Sequence, residues 1–104
     1  MLSAKRVLLV EDDELLCMSL VEQFAAAGVH QTREARSYAE GYRNGLDRIY
    51  EFILLDVSLP VDERASCQTL RDAGVTCPIS ILTASDSDAI RHRASESQQN
   101  KGDR

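Results

Sequence analysis

The sequence contains no tryptophan, only three Tyr and two Phe, so its core must be built mainly from aliphatic side chains. It has two prolines, Pro60 and Pro78, and nothing resembling a Pro-rich or Gly-rich linker. The three cysteines, Cys17, Cys67 and Cys77, are odd in number and widely spaced. That pattern fits free thiols in a reducing cytoplasm better than a disulfide framework. With only His30 and His92 and no cysteine pair, a structural zinc site has too few ligands. Positive charge is also scarce: 12 Lys and Arg against 17 Asp and Glu give a formal charge of -5. Nucleic acid and anionic membranes both reward cationic surfaces, so neither is an expected partner. Apolar runs are short. The four residues Val7-Leu8-Leu9-Val10 are followed at once by acids, too few for a signal-peptide core or a membrane span. At 104 residues the chain has room for one domain with a modest core.

What is present centres on Phe52-Ile53-Leu54-Leu55-Asp56-Val57-Ser58-Leu59-Pro60. A short apolar run closed by a turn signal predicts a strand buried on both faces. Asp56 stands where that strand leaves the sheet, the place where open α/β sheets bind ligands.

A second such run, from Arg6 to Val10, ends at Glu11-Asp12-Asp13-Glu14. A helix is expected from about Glu14 to Ala27, with Leu16, Leu20 and Phe24 on its inner face, widened by Leu15, Met18 and Val21. Gly28 supplies its stop. Residues 29–33 have weak extended character and suit an edge strand. Ser37-Tyr38-Ala39-Glu40 has capping-box spacing and opens a short helix to about Leu46. The Asp56 strand follows, over about Glu51 to Val57. The next helix is expected over residues 62–73, with Ala65, Leu70 and Ala73 partly inward and Gly74 as its end. Pro78 precedes a strand from Ile79 to Leu82 that delivers Thr83 to its carboxyl end. A last helix is expected over residues 86–97. These expectations give a single domain over residues 1–94 and a polar, disordered tail over 95–104. Strands alternating with helices imply a parallel sheet with helices on both faces.

Three strand ends then carry polar groups: Glu11 and Asp12, Asp56, and Thr83. In a doubly wound sheet these converge on one edge. Clustered carboxylates stay ionised together only if a cation joins them. Oxygen-only ligands favour Mg²⁺, which takes one or two carboxylates together with waters and a phosphate oxygen. A carboxylate so neutralised can attack phosphorus, and a hydroxyl at Thr83 could bond a phosphoryl oxygen.

Val7 to Glu14, Phe52 to Pro60 and Pro78 to Ala84 together resemble the receiver domain of bacterial two-component response regulators, over about residues 5 to 94. The resemblance implies a flavodoxin-like doubly wound sheet with four visible strands in the order 2-1-3-4. It implies Asp56 as phosphoacceptor, and Glu11, Asp12, Asp56 and the backbone carbonyl of Ser58 as the Mg²⁺ ligands. Thr83 matches the switch hydroxyl and Ala84 its small neighbour. The implied phosphodonor is a sensor histidine kinase or a phosphotransfer protein. Signalling would proceed through protein contacts, without a DNA-binding output domain, and any enzymatic activity would be limited to autophosphatase turnover.

The departures are as informative. Receivers continue into a fifth strand ending in a Lys-Pro pair and then a fifth helix, and neither is recognisable after Ala94. Lys101 lies in the polar tail with no apolar strand before it, so the lysine role is not carried to it. The loop after Pro60 is one residue short, and Glu63 stands where glycine is common. Without a fifth strand, the strand at Ile79 would be an open edge and the face of the first helix would lose cover. A homodimer through that strand and that face is therefore expected. The alternative function is a pseudo-receiver, a phosphorylation-independent dimerisation or interaction module. A haloacid-dehalogenase-type phosphatase would want a second aspartate where Ser58 stands. A dinucleotide site would want a Gly-rich loop after the first strand, which is absent.

Overall fold

A computed structural model describes residues 5–56 and 63–82, together with His92. The first strand, β1 (Arg6–Glu11), leads into α1 (Glu14–Ala26), then β2 (Gln31–Ala35) and α2 (Tyr38–Gly45). The Asp56 strand is β3 (Phe52–Asp56), followed by α3 (Glu63–Asp72) and β4 (Ile79–Ile81). The four strands form one parallel sheet in the order β2-β1-β3-β4. Architecture and strand order are those expected from the sequence.

Alternation along the strands divides the core between two faces. Leu8, Val10, Ile53 and Leu55 point to one face, where they join Ala35, Tyr50, Leu70 and Val75. Leu9 and Leu54 point to the other and meet Leu16, Cys17 and Leu20 of α1. Helices α2 and α3 cover the first face. Gly41 of α2 comes so near β1 that a Cβ there would lie 2.5 Å from Val10 Cγ2. A residue that weakens the helix by propensity is thus what lets it dock.

Local chemistry explains the element ends. Asp13 caps α1, its Oδ1 accepting from the Leu16 N–H at 2.9 Å. Ser37 Oγ accepts from the Glu40 N–H at 3.1 Å. The Glu40 carboxylate reaches back to the Arg36 N–H at 3.2 Å, one residue before the cap. Gly74 closes α3 with a φ of +94°, which only glycine adopts cheaply.

Several details differ from the expectation. The second strand begins at Gln31, two residues late, because Val29 still closes α1 through its N–H to Phe24 O at 2.9 Å. Met18 is exposed, and Cys17 takes its place in the core. In α3 the inward residues are Ser66 and Leu70, while Ala65 is exposed. Of the other expected inward positions, Leu16, Leu20 and Leu70 are buried. Of the expected last helix, only His92 is among the described residues, where it is helical and exposed. The expected tail over 95–104 lies outside them.

Candidate functional site

The β1–β3 register pairs Glu11 with Asp56 at the carboxyl ends of the two central strands. Glu11 lies two residues beyond Leu9, and Asp56 two beyond Leu54. Both side chains therefore stand on the α1 face. Neither sits at the surface: Glu11 is 0% exposed and Asp56 6%. Asp12, the next residue, is half-buried.

Two carboxyl groups are thus paired on adjacent strands in a buried setting. Burial pushes the Glu11 carboxyl well above the usual carboxylate range, and the Asp56 and Asp12 side chains push it further. The Asp13 N–H pulls the other way, donating to Glu11 Oε1 at 2.7 Å. Glu11 Oε2 is buried and accepts no hydrogen bond. A buried acceptor left so is expensive, and a hard cation would satisfy it.

Among the described residues, no three His, Cys, Asp or Glu side chains are arranged to hold a metal ion unaided. Glu11, Asp12 and Asp56 thus do not form a closed three-ligand cage, as a simple reading of clustered acids would have it. The donor set nevertheless fits Mg²⁺, which needs few protein oxygens and keeps several waters. Ser58 and Thr83, the other expected site residues, lie outside the described residues. The chain approaches Thr83 at Leu82, whose N–H donates to Leu55 O at 3.1 Å, one residue before Asp56.

One cluster beside the carboxylates was not foreseen. Cys17 Sγ donates to Glu34 Oε1 at 2.8 Å, and Arg36 Nη2 meets the same oxygen at 3.3 Å. Burial, reinforced by Glu34, pushes the Cys17 thiol up to about 12. The signal was present in the alternation of Arg33, Glu34, Ala35 and Arg36, but using it required the strand register. A cleft of about 680 Å³ lies at the opposite end of the strands, lined by Lys5, Arg6, His30, Gln31, Ile49 and Glu51, away from the carboxylates.

Comparison with known proteins agrees with the fold. Residues 7–101 match the family described as response regulator receiver domain, seven residues past Ala94, where the sequence resemblance had ended. The chain is 35% identical over 83 residues to protein RcaC of Microchaete diplosiphon, covering 78% of this chain but 12% of that one. Among solved structures it is similar to the receiver domain of the histidine kinase CKI1 from Arabidopsis thaliana complexed with Mg²⁺. That match has a TM-score of 0.60 and 18% identity, and covers 86% of this chain and 77% of the other. The same receiver complexed with Mg²⁺ and BeF₃⁻ gives 0.59 and 19%, covering 86% and 75%.

Proposed function

Because the chain belongs to the response regulator receiver domain family, we propose that it accepts a phosphoryl group on Asp56 from a histidine kinase or phosphotransfer protein. The observation that carries this reading is the buried Glu11–Asp56 pair at the carboxyl ends of β1 and β3, with one Glu11 oxygen unpartnered. An Asp56 carboxylate oxygen attacks phosphorus. The new O–P bond forms as the N–P bond of the phosphohistidine breaks, and the departing imidazole nitrogen regains a proton. Glu11, Asp12, Asp56 and the Ser58 carbonyl would hold Mg²⁺. When bound, the ion offsets charge on the carboxylates and on the transferring phosphoryl oxygens. Asp12, half-buried beside Glu11, would hold the ion directly or through water. Thr83 would donate its hydroxyl to a phosphoryl oxygen and so register the modification.

The chain spans about an eighth of the length of RcaC, so the output is a proposal too: signalling through protein contacts in the cytoplasm. Among the described residues, no helix is long and apolar enough to cross a membrane. Self-association belongs to the same proposal. Phe24, Phe52 and Leu82 lie half-buried along the α1 face beside β4. Light scattering that finds a monomer at micromolar concentration refutes it.

The decisive experiment is intact mass after incubation with acetyl phosphate and Mg²⁺. One added phosphoryl group on the parent, absent in Asp56→Asn, supports the reading. No adduct on the parent overturns it in favour of a phosphorylation-independent interaction module.

A further inference from the structure

Phosphorylation of Asp56 would bring a dianion to an edge already crowded with negative charge. Glu11 ends β1, Asp12, Asp13 and Glu14 follow it, Glu34 stands one residue before the end of β2, and Asp56 ends β3. Among the described residues that close β1, β2 and β3 and open α1, one is a cation: Arg36. Its position is set by the sheet. The β1–β2 register pairs Val10 with Ala35, so Arg36 stands level with Glu11. Ala35 is buried on the α2 face. Alternation therefore sends Glu34 and Arg36 to the α1 face, the face of Glu11 and Asp56. The contact of Glu34 with Cys17 of α1 places it there directly. The Cys17 thiol accordingly feels both Arg36 and Glu11.

The present partner of Arg36 is a weak hold. Its guanidinium meets Glu34 at 3.3 Å, with both side chains over 40% exposed. Exposed pairs of this kind contribute little, so release costs little. Only β1 separates β2 from β3, so the Arg36 and Asp56 backbones are about 10 Å apart. An extended arginine from one side and an aspartyl phosphate from the other close that gap between them. A guanidinium also fits phosphoryl oxygens in a fork that a lysine cannot match.

We propose that Arg36 is the counter-charge of this site: it rests on Glu34 while Asp56 is unmodified and moves to the phosphoryl group when Asp56 carries one. This rests on the reading of Asp56 as phosphoacceptor. A second consequence needs no phosphorylation. A cation beside Glu11 opposes binding of another cation, so removing it should tighten Mg²⁺.

The test compares Arg36→Gln and Arg36→Lys with Arg33→Gln. The last removes the same charge from the same strand on the opposite face, and circular dichroism confirms folding of all three. Rates of phosphorylation by acetyl phosphate are followed by intact mass, and Mg²⁺ affinity is measured by calorimetry. Arg36→Gln is expected to slow phosphorylation about 10-fold and to bind Mg²⁺ about 2–5-fold more tightly. Arg36→Lys, which keeps the charge but loses the fork, should recover only part of the rate while keeping the parent's Mg²⁺ affinity, and Arg33→Gln should change neither quantity. A phosphorylated parent with Arg36→Gln indistinguishable from Arg33→Gln overturns the role of Arg36 and leaves the phosphoacceptor reading standing. A parent that takes no phosphoryl group overturns both.

Discussion

Replacing Glu11 with glutamine should stabilise the metal-free protein. Glu11 is wholly buried, stands opposite Asp56 and carries an Oε2 that accepts no hydrogen bond. The substitution is nearly isosteric. It keeps an oxygen to accept from the Asp13 N–H, now made at 2.7 Å. The other oxygen becomes an NH₂ group, a permanent donor toward the Asp56 and Asp12 side chains, whereas the glutamate must first take up a proton to donate to them. An unsatisfied buried polar group costs about 1–3 kcal/mol, so relief of about 2 kcal/mol is expected. For a domain of this size that is about 8–12 °C in Tm. The assay is thermal denaturation in EDTA and again in millimolar MgCl₂. The parent should gain stability from Mg²⁺ and Glu11→Gln much less, since a neutral amide is a poor partner for a hard dication. A loss of stability in Glu11→Gln without metal would falsify the strained-carboxylate argument. So would an equal response of both proteins to Mg²⁺.

Other predictions concern the frame around the site. Gly41→Ala places a Cβ 2.5 Å from Val10 Cγ2 and should cost about 1–3 kcal/mol by urea denaturation despite its better helix propensity. Ser37→Ala removes the acceptor of the Glu40 N–H and should cost about 1 kcal/mol in the same assay. Leu70→Ala empties a side chain 1% exposed between α3 and the sheet, with an expected loss of about 2–5 kcal/mol. Cys17 is faced by Glu34, Arg36 and Glu11, and its thiol is pushed from 9.0 up to about 12. A group whose pKa is raised on folding contributes fully below its unfolded pKa, and the contribution fades as pH climbs toward the folded value. The stability advantage of the parent over Cys17→Ser should therefore be constant below about pH 9 and narrow as pH rises from there toward about 12. An advantage that does not change with pH refutes the shift.

The fold was legible because its signals agreed. Two apolar runs, each ending in acid, mark β1 and β3, and the intervening helices carry their own caps at Asp13 and Ser37. Glycines punctuate the chain where φ turns positive, at Gly28 and Gly74. Where the reading slipped, a tertiary contact overrode the local pattern. Val29 looks like strand but finishes α1, and Cys17 displaces Met18 because a small thiol with a carboxylate partner fits beneath the helix. Glu11 and Asp56 could be named from sequence since each ends a hydrophobic run. Arg36 could not. It sits in a short, highly charged strand, and its relation to Glu11 exists only once the β1–β2 register is known.

That register also explains why so acidic an edge is compatible with folding. The sheet places Glu11 against Asp56 through backbone pairing and apolar packing, neither of which depends on the state of the carboxyl groups. The energy that fixes Leu8, Leu9, Leu54 and Leu55 in the core is delivered by burial, at about 1.5–3 kcal/mol for each such side chain. One strained pair at the strand ends is small against that sum. It is held in place, so its discomfort is available to any group that relieves it. A cation that joined the oxygens would relieve it. Arg36, held on Glu34 by an exposed contact of 3.3 Å, moderates the edge without neutralising it. The same geometry therefore makes the site weakly destabilising when bare and responsive to whatever charge arrives.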